Sequence, residues 1–237
     1  MCLECTKLSR RSFLSLTATV AAAAGLLAWD GAIRPSFANS TIRPDEALAR
    51  LKAGNEKFVS APQLCEAALT ANRASVAKGQ SPWATILTCA DSRVSPELVF
   101  GGVGLGELFV ARNAGNIVDS DVLGTIEYGA EHLGSPLIVV MGHSRCGAVQ
   151  AACEVAEKHT VLPGSIKAMV DAIVPAAQSQ KGKPGDFVNN VVCENARRNA
   201  LKISAESEIV TELVHAGKLK VVYARYDLDT GAVDFLG

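Results

Sequence analysis

A chain of 237 residues, 49% of them hydrophobic and with a mean hydropathy of +0.21, is long and apolar enough to bury a full core, which excludes disordered and fibrous classes. Its 23 basic and 24 acidic residues leave a net charge of −1 and only 5% of residues are aromatic, so no nucleic acid or anionic membrane is expected as a partner. Seven cysteines are an odd number in a chain too large to need a disulfide framework, so some of them are expected to serve chemistry.

The first segment reads as an address. Arg10 and Arg11 precede an apolar run from Leu14 to Ala28, and Ser36-Phe37-Ala38 offers small residues at the two positions a signal peptidase inspects. The run falls short of the roughly 20 strongly apolar residues a span requires, so a removable signal is expected and no stable membrane anchor. The stretch Ser9-Arg10-Arg11-Ser12-Phe13-Leu14 resembles the twin-arginine export signal, which implies a bacterial protein exported to the periplasm already folded. Residues 1–38 are thus expected to be the signal and 39–237 one domain. Cys2 and Cys5 leave with the signal, and Cys65, Cys89, Cys146, Cys153 and Cys193 remain.

Pro44 stands where a helix begins, and Leu48, Leu51, Asn55 and Phe58 follow at helical spacing, predicting an amphipathic helix over 44–59. The Ala-rich stretch 63–78 is also predicted helical. The run Ala84-Thr85-Ile86-Leu87-Thr88 predicts a buried strand, and Glu107 to Ala111 a second after the glycines at 101, 102, 104 and 106. Val122, Ile126 and Ala130 form the stripe of a helix over 120–133 that stops at Gly134, with Pro136 beyond. Leu137-Ile138-Val139-Val140-Met141 is continuously apolar, as in a strand of a parallel sheet covered on both faces. Helices over 146–158, 163–179 and 187–216 are predicted next, then a strand from Lys218 to Ala224 and a turn at Asp229-Thr230-Gly231 into a short final strand. This alternation predicts an α/β fold.

Three metal-ligand residue types stand at the ends of two of these strands. Cys89 follows the first, and His143-Ser144-Arg145-Cys146 follows the third after Gly142. In open parallel sheets ligands gather outside the carboxyl ends of strands, so the three side chains meet if these strands are neighbours. Two thiolates and an imidazole suit zinc, with the fourth tetrahedral position left for water. On the residues alone, two buried apolar thiols and a hydrogen-bonded loop histidine satisfy the same sequence. Asp91-Ser92-Arg93 shifts the balance, because an aspartate beside a ligand cysteine can accept from water and the arginine can hold its carboxylate ionised. Gly147 lets a small anion such as bicarbonate approach the backbone at the start of a helix.

The pair Cys89-Ala90-Asp91-Ser92-Arg93 and Gly142-His143-Ser144-Arg145-Cys146-Gly147 closely resembles the motifs of the β-class carbonic anhydrases. The likeness extends through Glu107-Leu108-Phe109-Val110-Ala111-Arg112-Asn113 to the closing Tyr226-Asp227-Leu228-Asp229-Thr230-Gly231. The resemblance implies that Cys89, His143 and Cys146 bind one Zn2+ per subunit, with Asp91 as a fourth ligand in a closed state. It implies reversible hydration of carbon dioxide to bicarbonate and a proton by a zinc hydroxide that Asp91 and Arg93 orient. Also implied are a four-stranded parallel sheet with an added antiparallel strand, flanked by helices, an N-terminal helix reaching across a partner subunit, and a homodimer or homotetramer. Two further readings keep the zinc: hydrolysis of carbonyl sulfide or carbon disulfide, and a non-catalytic zinc-binding protein. The chain departs from plant-type members at Gly104, where they carry a substrate-holding glutamine.

Overall fold

The computed structural model describes residues 40–64 and 73–237. The expected signal over 1–38, Cys65 and the middle of the Ala-rich stretch lie outside the described residues. Within them the elements run in this order: α1 (Pro44–Ser60), a 3-10 turn (Pro62–Leu64), α2 (Arg73–Val76), β1 (Ala84–Cys89), α3 (Pro96–Val99), β2 (Leu108–Asn113) and α4 (Ser120–Glu127). A π-helical turn (Tyr128–His132) continues α4, followed by β3 (Leu137–His143), α5 (Gly147–Lys158), α6 (Gly164–Asp171), α7 (Val174–Gln180), α8 (Phe187–Glu206), α9 (Glu208–His215), β4 (Lys220–Tyr226) and β5 (Val233–Phe235).

The strands form one sheet in the order β2-β1-β3-β4-β5. Four are parallel and β5 alone pairs antiparallel, with β4. The expected α/β architecture is therefore the observed one. Every residue of β1 and β3 is buried, because these strands lie inside the sheet with helices on both faces. Leu51, Ile86, Val139, Met141 and Phe100 pack on one face, and Leu87, Ile138, Val140, Ala196 and Ile203 on the other. A third apolar cluster, built from α5, α6, α7 and α8, encloses Cys89 and Cys146 at the carboxyl end of the sheet.

Two expectations are corrected. The helix over 163–179 is two helices, because Pro175 lacks an N–H and its ring crowds the carbonyl four residues earlier, at Asp171, where α6 ends. The helix over 187–216 breaks at Ser207, whose extended backbone and hydroxyl, accepting from the Val210 N–H, cap α9. One face of α1 packs on its own sheet. In α1, Ala47, Leu51 and Asn55 form the buried stripe, and Asn55 is tied to the Val99 and Gly231 carbonyls and the Val233 N–H. Gly54 permits that packing, since a Cβ there would lie 2.0 Å from the Phe100 carbonyl oxygen.

Candidate metal centre

β1 and β3 are adjacent and parallel, in a register that pairs Thr88 with Met141. Their last residues, Cys89 and His143, therefore emerge side by side at the carboxyl edge of the sheet. Gly142 is required just before His143, because a Cβ there would come within 2.8 Å of Val192 Cγ1 and 3.2 Å of the Val192 carbonyl oxygen on α8. Beyond His143 the chain turns sharply through Arg145, which has a φ of +55°, and delivers Cys146 as the N-cap of α5.

The three ligand atoms lie within 4.8 Å of one another, and all three residues are buried. The two sulfurs are 3.9 Å apart. Thiolates about 2.3 Å from a tetrahedral zinc sit about 3.8 Å from each other, so the spacing fits that ion. His143 fits it as well. Nδ1 lies 3.0 Å from the Ser144 carbonyl oxygen, which can only accept, so Nδ1 carries the proton and Nε2 presents a lone pair. That Nε2 is fully buried and one of three buried side-chain polar atoms without a hydrogen-bond partner among the described residues, an arrangement a bound metal ion satisfies.

The close contact between the two sulfurs lowers the Cys89 thiol below its ordinary range and, with burial, raises that of Cys146. Cys89 Sγ also accepts from the Gly115 N–H at 3.4 Å. Asp91 is paired bidentately: Oδ1 accepts from Arg93 Nε at 2.9 Å and from its backbone N–H at 3.0 Å, and Oδ2 from Nη2 at 2.7 Å. The Arg93 side chain holds the Asp91 carboxyl well below the usual carboxylate range. Asp91 Oδ2 lies 3.8 Å from His143 Nε2, which puts the carboxylate at the edge of the ligand set. Beside Gly147 a Cβ would meet nothing within 4 Å, so there is open space at the start of α5. Gly104, the departure noted above, donates its N–H to Glu107 Oε2 at 2.8 Å.

The structure thus brings Cys89, His143, Cys146 and Asp91 together, with Arg93 behind Asp91 and Gly147 directly after Cys146. The other described cysteines stand apart from this set. Cys153 is buried, which pushes its thiol up to about 11, and burial also raises the half-buried Cys193. Sequence reasoning assigned no role to Arg112, which donates to the Cys89 carbonyl at 3.0 Å and the Asp91 carbonyl at 2.7 Å and so pins the first motif. It also missed Gly115 and the α8 amides Asn195 and Asn199. A signal for the amides was available, since two asparagines four apart interrupt the buried stripe of Val191, Val192, Ala196 and Ile203.

A family model described as carbonic anhydrase matches residues 84–233. Carbonic anhydrase 2 of Mycobacterium tuberculosis is 37% identical over 188 residues, 79% of this chain and 90% of that protein. Among solved structures, the Coccomyxa β-carbonic anhydrase in complex with acetazolamide is similar with a TM-score of 0.61 at 29% identity, over 80% of this chain and 86% of that one. A tetrameric β-carbonic anhydrase of Sordaria macrospora shares the fold with a TM-score of 0.63 at 24% identity, over 81% and 95% of the two chains.

Proposed function

The chain belongs to the β-class carbonic anhydrases, zinc enzymes that hydrate carbon dioxide, and from that premise we propose that Cys89, His143 and Cys146 hold the zinc while Asp91 and Arg93 orient the reacting water. The observation that carries this reading is the buried, unpartnered Nε2 of His143 beside two sulfurs 3.9 Å apart. Zinc, when bound, lowers the pKa of water and polarises substrate oxygen. The protein's part is positional and electrostatic. The two thiolates and the neutral imidazole fill three positions of a tetrahedron and leave a fourth open. Asp91, kept ionised by Arg93, has acceptor capacity to take a hydrogen bond from water at that position and so set its orientation. The pairing of Asp91 with Arg93 favours this open arrangement over permanent ligation of the metal by Asp91. The space beside Gly147, next to the first amides of α5, suits the oxygens of bicarbonate.

Wild-type protein is expected to hold one zinc per subunit and to hydrate carbon dioxide in a stopped-flow assay. Cys146→Ser loses both, and carbon dioxide hydration by metal-free protein sinks the assignment. Carbonyl sulfide assayed in parallel separates the substrates.

Two features of the chain's setting belong to the same proposal. Residues 1–38 act as a twin-arginine-type signal for a periplasmic domain spanning 39–237, supported by Arg10 and Arg11 ahead of the apolar run. Among the described residues no helix is long and apolar enough to cross a membrane. Changing both arginines to lysine is expected to retain the protein in the cytoplasm on fractionation. The domain assembles as a homodimer or homotetramer: β2 is an edge strand with half-buried Leu108, Phe109 and Val110, and Tyr128 is exposed against Phe109. Light scattering measures the mass directly.

A further inference from the structure

The segment 113–118 links β2 to α4 and carries a backbone N–H that donates to the Cys89 sulfur, that of Gly115. Two consecutive residues in it, Gly115 and Asn116, have φ values of +79° and +45°. Such a stretch stays in place only if its surroundings fix it. Part of the hold is local, since Asn113 accepts from the Ile117 N–H and donates to the Ile117 carbonyl. The rest comes from α8, some 80 residues further along the chain. Asn195 Nδ2 donates to the Gly115 carbonyl at 2.8 Å, Asn199 Oδ1 accepts from the Val118 N–H at 2.8 Å, and Lys202 Nζ donates to the Val118 carbonyl at 2.9 Å.

The orientation of these amides follows from the bonds. The Val118 N–H can only donate, so the Asn199 atom it meets is oxygen, and Asn199 Nδ2 must point the other way. It donates to the Asn195 carbonyl at 2.9 Å and to Asn195 Oδ1 at 3.1 Å, which leaves Asn195 Nδ2 as the donor to Gly115. Asn195 is 2% exposed and Asn199 8%, so each bond here replaces water that is not available. A buried amide pair of this kind is costly to leave half satisfied, and an apolar helix face would pack against β3 without it.

We propose that Asn195 and Asn199 are positioning residues for the metal centre: they lock the 113–118 segment so that the Gly115 N–H stays on the Cys89 sulfur and slows loss of the zinc. The physical basis is that donors to a ligand's sulfur fix its direction and tune its bond to the metal, an effect of about 10–100-fold in metal affinity in comparable sites. The inference rests on the ligand assignment above, which the zinc content of the wild type tests by itself.

The test compares zinc-loaded proteins only. Release of zinc to a colorimetric chelator is timed for the wild type, Asn195→Leu and Asn199→Leu, and the thiolate-to-metal absorption band is recorded after cobalt substitution. Asn195→Leu is expected to release zinc about 10–100-fold faster and to shift the cobalt band. Ile203→Ala, on the same helix but facing the other cluster, lowers stability while leaving release and spectrum as in the wild type. If Asn195→Leu keeps the wild-type rate and band, or if Ile203→Ala moves them equally, the amides serve folding alone and the proposal is overturned. Should Asn195→Leu fail to fold, Lys202→Met removes a bond to the same segment at a half-exposed site and is expected to speed release; an unchanged rate there overturns the proposal too.

Discussion

Two regions meet at the carboxyl end of the sheet and are held by different physics. Around Cys89, His143 and Cys146 the described partners are mostly peptide groups and amides withdrawn from water: the Ser144 carbonyl, the Gly115 N–H and, behind it, Asn195 and Asn199. A few residues outward the groups are charged and wet. Arg145, between the two later ligands, makes a bidentate pair with Asp229, and both side chains are at least half exposed. Arg93 pairs with Asp91 at the boundary, its own side chain exposed and that of Asp91 mostly covered. Neutral bonds in a dry site are expensive to break, whereas exposed ion pairs are screened and contribute little. The comparison predicts that the inner region sets metal retention and the boundary sets turnover, while the outer rim is nearly dispensable.

The largest effect tests the inner region outright. Cys89→Ser removes a soft ligand from a three-ligand set, and zinc content by atomic emission is expected to fall to background together with carbon dioxide hydration. Asp91→Asn probes the boundary: zinc stays stoichiometric, while kcat drops about a hundredfold or more because the water loses its ionised acceptor. Equal loss of zinc and kcat in that variant would erase the distinction between the two regions. Gly115→Ala asks how tightly the inner segment is packed, since a Cβ there would lie 2.5 Å from Ile173 Cδ1 at a φ of +79°. A loss of about 2–4 kcal/mol in urea denaturation is expected, partly recovered by adding Ile173→Val.

The rim gives the smaller effects. Asp227 accepts from the Thr230 N–H, Arg225, the Asp229 N–H and the Thr230 hydroxyl, which together hold its carboxyl at about 2 against an ordinary 3.8. A depressed carboxyl contributes stability that is complete above its unfolded value and fades as pH falls from about 4 towards 2. The urea midpoint of Asp227→Asn is therefore expected to lie below the wild type near neutrality and to converge with it in that acidic window. Smallest of all, Asp229→Ala is expected to shift Tm by about 2 °C or less and leave kcat and zinc content unchanged. A tenfold change in either would show the rim to be part of the centre.

Much of this was legible from local chemistry. The continuous apolar runs of β1 and β3 have few alternatives to buried parallel strands, and two such strands bring the residues that follow them to one edge, so three candidate ligands could be named before any contact was known, and the family motif singled them out. The helix breaks at Asp171 and Ser207 were also written locally, in Pro175 and in a serine cap, but a longer apolar periodicity ran across them and masked the signal. The packing of α1 was not legible. An amphipathic stripe states that a helix needs an apolar partner and is silent on whether that partner is its own sheet or another copy's.

The sequence by itself determined the α/β order, the ligand types and the Asp91-Arg93 pair, because residue type and short spacing decide periodicity, donor softness and charge. Only the tertiary structure decided that Asn195 reaches Gly115 across 80 residues, that the unpartnered nitrogen of His143 faces two sulfurs, and that Gly54 admits α1 onto its own chain. Those depend on which strands are neighbours and how closely helices approach them. That is a property of packing summed over the whole chain, and no local segment carries it.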